Sequence, residues 1–244
     1  MRIPRIFFDH TLNVGQDYSL LSDRAHYVSN VLRLSAGRPL IVFNGRGGEY
    51  EATLLAAGKK EAALRIDRFV DVDRESPLRS RLAIGLARGD RMDWIVQKAT
   101  ELGVTAISPL YTERTEVKLS GERLAKKLGH WRQIIIGACE QSQRNRLPTL
   151  HEPIEFSDFV SQCQASRKLI LHPGTEGFSL DTAGQDGANS AAVLVGPEGG
   201  FSDDEVERAK VHEFLPWPLG PRILRAETAP IAALALLQHS WGDW

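Results

Sequence analysis

From about residue 82 onward the sequence alternates short, continuous apolar runs with stretches of helical periodicity, and this alternation limits the possible folds more than any other feature. The runs LAIGLA (82–87) and AISPLY (106–111) read as strands, and KLILHP (168–173) and AAVLVG (191–196) read as further strands, short, largely apolar and expected to be buried on both faces. Between them, a helix is predicted from Met92 to Leu102, with Ile95, Ala99 and Leu102 on one face and Gly103 ending it. A longer helix is predicted from Glu122 to Arg144, with Leu124, Leu128, Trp131, Ile135 and Ala138 at helical spacing and Pro148 just beyond. After AAVLVG, the order Ser202-Asp203-Asp204-Glu205 reads as a capping box that starts another helix. A last helix begins near Thr228 and accepts Pro230 in its first turn. Strands alternating with helices imply a mostly parallel sheet covered by helices, an α/β fold.

The first 75 residues have a different texture. PRIFF, PLIVFNG, EYEATLLA and EAALRIDRFV are strand-like and separated by turn signals such as Asn44-Gly45 and Gly47-Gly48. This reads as a small β-rich domain over residues 1–75. The charged stretch 71–81, DVDRESPLRSR, interrupts the apolar pattern and reads as a linker, so a second domain is expected over residues 76–244.

Composition narrows the function classes. The longest uninterrupted apolar run, Ile231 to Leu237, is far below the roughly 20 residues that cross a bilayer, and the N-terminus lacks the apolar stretch of a secretory signal, so a cytoplasmic protein is expected. Cys139 and Cys163 form no CxxC pair and the seven histidines form no HxxxH pair, so no metal is expected. The net charge of −1 gives no support to nucleic-acid binding, but its distribution is uneven. Residues 1–46 carry six arginines against three acids, and residues 112–146 carry eight cations against four glutamates. Two such segments fit a face that follows a phosphate backbone, and dispersed surface arginines give the same count.

In an open α/β sheet, ligands gather beyond the carboxyl ends of the strands. Three segments qualify: Leu171-His172-Pro173, then Gly196-Pro197-Glu198-Gly199-Gly200, then 219–228, LGPRILRAET. His172 taken singly is also readable as an ordinary strand-end histidine. The glycine cluster permits close approach of backbone to a flat ligand, and it equally serves a tight turn. It contains neither GK[ST] nor GxGxxG, so phosphate-loop and dinucleotide fingerprints are absent. The acids at 203–205 already complement the dipole of the following helix, which disfavours a phosphate there.

LVGPEGGFS, followed by LGPRILRAETA and a small-residue helix, resembles the C-terminal signature of the SPOUT superfamily of RNA methyltransferases, specifically the family that methylates N3 of a uridine in 16S rRNA. QKATELGVTAISPLYTERTEVK, ACEQSQRNRLP, RIPRIFF and HYVSNVLRLSAGRPLIVFNG are similar to the same family, so the resemblance spans nearly the whole chain. Thr115 stands where serine is frequent, which keeps the hydroxyl, and residues 174–190 carry no recognisable motif. The resemblance implies a trefoil-knotted parallel-sheet methyltransferase domain preceded by a PUA-like β-barrel that binds RNA, with S-adenosylmethionine as cofactor. It further implies a homodimer and a substrate in 16S rRNA, within the small ribosomal subunit. The cofactor would lie against Leu171, His172, Pro173, Leu194, Gly196, Glu198, Gly199, Gly200, Leu219, Gly220, Ile223, Leu224, Arg225, Glu227 and Thr228.

Methylation at a uracil nitrogen is an in-line displacement that also removes the N3 proton, and the target base must leave its stack. Glu140 is the carboxylate first considered as general base, with Arg144 one turn on to orient it or to contact uracil. The same pair also reads as a plain ion pair. Arg5, Arg24, Arg33, Arg114 and Arg144 are the candidates for RNA contacts. Two other readings stand beside this one: a related methyltransferase acting on a different RNA nucleotide, such as a ribose 2′-hydroxyl, and a non-catalytic RNA-binding protein. A nucleotide-dependent oxidoreductase lacks its phosphate loop.

Overall fold

The computed structural model describes residues 3–21, 23–58, 60–174, 177–180 and 188–244. Part of the motif-free stretch 174–190 therefore lies outside the described residues. The chain forms two compact units, Met1–Glu75 with Cys139–Leu147, and Ser76–Ala138 with Pro148–Trp244. The expected division kept 76–244 whole. The end of the long helix and the loop after it instead pack with the first unit, because Arg144 and Asn145 are buried there against Glu75 and Arg5.

The first unit contains β1 (Arg5–Phe7), β2 (Asp17–Leu21), α1 (Asp23–His26) running into a π-helical turn at Tyr27–Val31, β3 (Pro39–Phe43), β4 (Glu49–Ala57) and β5 (Glu61–Val70). Its strands form one mixed sheet in the order β1-β3-β4-β5-β2, with β1 and β3 parallel and the remaining pairs antiparallel. Two register shifts in β4, at Glu51/Ala52 and Leu54/Ala56, curl the sheet, since an extra residue on one strand bends it. Ile6, Leu20, Leu40, Val42, Leu54, Leu64 and Ile66 alternate with outward residues along these strands and close the core with Ala25 and Val28 from the helical turn. The sequence reading had no element at 23–31; Asp23, Arg24 and His26 interrupt the apolar pattern, and only Ala25 and Val28 face inward.

The second unit holds β6 (Arg79–Gly85), α2 (Arg91–Glu101), β7 (Ala106–Tyr111), most of α3 (Gly121–Ser142), β8 (Thr149–Leu150), β9 (Ile154–Glu155), α4 (Phe156–Gln162), β10 (Arg167–Leu171), β11 (Ser190–Val195), α5 (Asp203–Val211), β12 (Leu215–Trp217) and α6 (Thr228–Trp241). The sheet is parallel in the order β12-β10-β11-β6-β7-β8, with β9 also on β7. Leu82, Ala83, Ile84, Ile107, Leu169, Ile170, Ala192, Val193 and Leu194 are all inaccessible, which is why these strands show continuous apolar runs instead of alternation. The capping box forms as expected: Ser202 Oγ accepts from the Glu205 N–H, and the Glu205 carboxylate accepts from the Ser202 N–H. No helix among the described residues is long and apolar enough to cross a membrane.

Candidate active site

Three neighbouring parallel strands, β12, β10 and β11, end at Trp217, Leu171 and Val195, and the loops that leave them close around a cavity of about 480 Å³. That volume lies within the range of small-molecule sites, and the carboxyl ends of parallel strands are where α/β proteins place them. The segments 171–173, 196–200 and 219–227 all contribute to its lining.

Backbone freedom shapes this site at two points. A Cβ on Gly85, at the end of β6, would meet Pro197 Cδ at 2.5 Å, so only glycine lets the loop after β11 cross there. A Cβ on Gly196 would meet Gly200 Cα at 2.9 Å, and Gly200 itself sits at φ +69°, in the left-handed region. The loop therefore turns back tightly on itself and directs Glu198 and Gly199 outward. It is held from the side by Arg114, whose Nη1 donates to the Gly199 carbonyl at 2.9 Å, and beneath by Glu205, which also accepts from the Glu113 N–H at 2.9 Å.

Two carboxylates line the cavity, Glu198 on the glycine loop and Glu227 on the loop before α6. Partial burial works against charge on Glu198, but the Arg88 and Glu198 N–H groups and the Arg91 guanidinium outweigh it and hold its carboxyl below the usual carboxylate range. Glu198 is thus ionised at neutral pH. The lining walls supply Leu171, Val195, Trp217, Leu219 and Leu224 as apolar surface. A cavity with apolar walls, two carboxylates, three arginines (Arg91, Arg222 and Arg225) and no glycine-rich phosphate loop suits a partly apolar ligand that carries charges of both signs, such as an amino-acid sulfonium nucleoside.

Of the residues expected at the cofactor, Leu171, His172, Pro173, Gly196, Glu198, Gly199, Gly200, Leu219, Gly220, Ile223, Leu224, Arg225 and Glu227 line the cavity. Leu194 does not. It is fully inaccessible within β11, one position short of the strand end, and packs with Ile170, Phe201 and Phe214 in the core, leaving Val195 to form the wall. Thr228 is the exposed first residue of α6, its N–H bonded to the Arg225 carbonyl, and Ala229 takes the place in the lining expected for it. Arg91, Trp217 and Ala229 went unforeseen. Trp217 ends a three-residue strand that contains Pro216 and is followed by Pro218, which hid it from a pattern search.

The first unit requires corrections to the catalytic and RNA-contact assignments. Arg5 and Arg144 are buried, each with only 5% of its side chain exposed; Arg5 pairs with Glu49 at 2.5 Å and Arg144 with Glu75 at 2.5 Å. Their guanidinium groups hold the unit together and do not face a phosphate. Glu140 accepts the Phe7 N–H at 2.9 Å, Arg24 at 3.2 Å and the Tyr27 hydroxyl at 3.2 Å. A carboxylate that engages three donors and sits nearly buried is an anchor for β1 and the helical turn. Burial and the Glu140 charge push the Tyr27 hydroxyl upward, so it stays protonated as a donor to Glu140. Burial pushes the Cys139 thiol up to about 12, which removes it as a nucleophile. Arg33 is exposed, at φ +51°, just past the π-helical turn, and Arg24 is half-buried.

The RNA methyltransferase domain family matches residues 74–238, and the RNA methyltransferase PUA domain family matches residues 20–67. A ribosomal RNA small subunit methyltransferase E from Buchnera aphidicola is 33% identical over 99% of this chain and 98% of its own length. A Legionella pneumophila structure described as a methyltransferase with bound cofactor SAM superposes with a TM-score of 0.96 at 42% identity, covering 100% of both chains. A ribosomal RNA small subunit methyltransferase E from Neisseria gonorrhoeae, bound to S-adenosyl methionine, gives a TM-score of 0.91 at 36% identity, again covering 100% of both chains. Full-length similarity at these identities, together with a domain match over most of the chain, makes this protein a member of the ribosomal RNA small subunit methyltransferase E family.

Proposed function

We propose that this protein transfers a methyl group from S-adenosylmethionine to N3 of a specific uridine in the decoding region of 16S rRNA, on the small ribosomal subunit in the cytoplasm. The observation that carries this reading is the cavity at the ends of β10, β11 and β12, lined by the three loops of the methyltransferase signature. Solved structures of similar chains from Legionella and Neisseria carry that methyl donor, which supports the same ligand here.

When bound, S-adenosylmethionine supplies an electrophilic methyl carbon on a sulfonium. Leu171, Val195, Trp217, Leu219 and Leu224 exclude water from the reacting centre, which strengthens every electrostatic interaction inside it. Glu198 and Glu227, both paired with Arg91, would form part of the wall against which the donor lies. The tight Gly196–Gly200 turn would let backbone approach the ligand closely, and Gly220, at φ +79°, takes a left-handed conformation that favours glycine. N3 lies on the Watson–Crick edge, so the uridine must be unpaired or extruded, at a cost of a few kcal/mol that RNA contacts offset. Exposed Arg33 and half-buried Arg24 in the first unit are the arginines suited to those contacts. The first unit is read as the PUA-like RNA-binding domain and the second as the knotted catalytic domain, with the chain from Leu219 to Thr228 as part of the knot.

The active form is read as a homodimer. The two packed helices α2 and α6 each leave a large apolar side chain exposed, Trp94 and Leu236, which supports a covered face. Sedimentation of the purified protein checks this.

The decisive experiment incubates the protein with small ribosomal subunits lacking the modification and methyl-labelled S-adenosylmethionine, then identifies the labelled nucleoside. Label in 3-methyluridine is the expected result. Label in another nucleoside keeps the donor and replaces the target, and no label in any RNA, despite donor binding, removes the enzymatic reading.

A further inference from the structure

We propose that Arg91 is a positioning residue that latches two walls of the cavity to each other, and thereby sets the affinity for the methyl donor. The inference rests on reading the cavity as the donor site. Arg91 is the first residue of α2 and belongs to none of the three loops, yet it lines the cavity. Its Nη1 lies 2.5 Å from Glu198 Oε1 on the glycine loop, and its Nε lies 3.8 Å from Glu227 Oε2 on the loop before α6. One guanidinium therefore joins carboxylates from the second and third loops.

Electrostatics and shape both favour this role. Carboxylates on neighbouring loops repel one another when charged, and a cation placed against both turns that repulsion into a crosslink. The planar fork of arginine can meet two acceptors in different directions at once, which the point charge of a lysine cannot do with the same geometry. Neither loop has regular structure to hold it: Pro197–Phe201 is a turn, and 218–227 is irregular until α6 begins. The Glu198 end is itself fixed, since Oε1 also accepts the Arg88 N–H at 3.0 Å. The 219–227 loop carries Ile223 with 85% of its surface exposed. The latch thus ties the anchored Glu198 of the glycine loop to the loop before α6. With 42% of its side chain exposed, Arg91 contributes little to global stability, so its effect falls on loop order.

The test uses Arg91→Met and Arg91→Lys in the full-length protein, with circular dichroism and thermal melts to establish that both are folded. Calorimetric titration with S-adenosylmethionine should show at least a 10-fold weaker Kd for Arg91→Met and an intermediate loss for Arg91→Lys. The KM for the donor should rise in parallel, while kcat at saturating donor stays within about 3-fold of wild type. Hydrogen exchange without donor should show amides at 199–200 and 220–225 exchanging at least 10-fold faster in Arg91→Met, with the sheet unchanged. In a double-mutant cycle, Arg91→Met with Glu198→Gln should be no worse than Arg91→Met alone, because the two act as one unit. Unchanged exchange at both loops, or donor affinity equal to wild type in folded Arg91→Met, overturns the latch. Failure of the wild-type protein to bind S-adenosylmethionine instead overturns the reading of the cavity, and the donor-free exchange experiment still decides the latch.

Discussion

Arginine is used in opposite ways in the interior of the first unit and around the cavity of the second. In the first, the guanidinium groups of Arg5 and Arg144 are sealed inside against Glu49 and Glu75, and Arg24 is paired with Glu140. In the second, Arg91, Arg222 and Arg225 line a cavity, and exposed Arg114 braces its glycine loop. A cluster of arginines in sequence is therefore weak evidence for an RNA face until burial is known. A buried cation needs a carboxylate partner and is removed from any outside ligand, whereas an exposed one on a loop remains available to shape a site.

This contrast can be broken most forcefully at Glu49. Glu49→Gln leaves Arg5 without its carboxylate in a dry setting and weakens the hold on Arg74, so the first unit should lose about 3–5 kcal/mol in denaturant unfolding. Donor titration of the folded fraction should be unchanged. Loss of donor binding in the folded fraction would mean that the buried pairs serve the cavity as well. The converse change is Gly196→Val, whose Cβ would collide with the Gly200 backbone. Donor affinity should fall roughly 100-fold, about 2.8 kcal/mol, with protection of the first unit against hydrogen exchange intact.

Much of the second unit was legible because its strands are buried on both faces. AISPLY coincides with β7, the last helix starts at Thr228 as expected, and Ser202 with Glu205 forms the cap that their spacing announces. The loops around the cavity were legible because strand ends in a parallel sheet face one way. Other features were invisible for physical reasons. β8, β9 and β12 have only two or three residues each, below the length at which any periodicity exists. β2, DYSLL, buries only Leu20, so it has no apolar pattern to read. Arg91 reaches the cavity from a helix start far away in sequence, and only the fold brings it to Glu198 and Glu227. Burial of Arg5 and Arg144 is likewise a property of partners at long sequence separation.

Glu140 offers a sharper division between anchoring and chemistry. As an anchor, Glu140→Gln should cost about 1–3 kcal/mol of stability through its lost ion pair with Arg24, with the pH profile of kcat keeping its shape. A stable Glu140→Gln variant that loses turnover and the acidic limb of its pH profile would restore the general-base role. Arg114→Met separates loop bracing from RNA contact in the second unit. Loss of its bond to the Gly199 carbonyl should weaken donor binding a few-fold and leave the salt dependence of RNA binding unchanged. A salt slope reduced by about one, with normal donor affinity, would assign Arg114 to a phosphate.

The smallest expected effect is on acid tolerance, and it too divides the units. In the second, burial and then the nearby Arg81 charge depress His151 below its ordinary 6.5. The unfolded chain therefore takes up that proton first: stability is fully present above about pH 6.5 and declines as pH falls through 6.5 toward the lower folded value. In the first unit, burial raises Glu49, but hydrogen bonds from Arg74 and Arg5 prevail and hold it below its ordinary 4.5. Its contribution is intact down to about pH 4.5 and is lost only as pH drops further, through the depressed folded value. Between pH 6.5 and 5, hydrogen-exchange protection around β8 and β9 should weaken while that of β4 and β5 holds. His151→Asn should abolish the decline at β8 and β9; a decline that persists in this variant would assign the acid sensitivity of the second unit to another group.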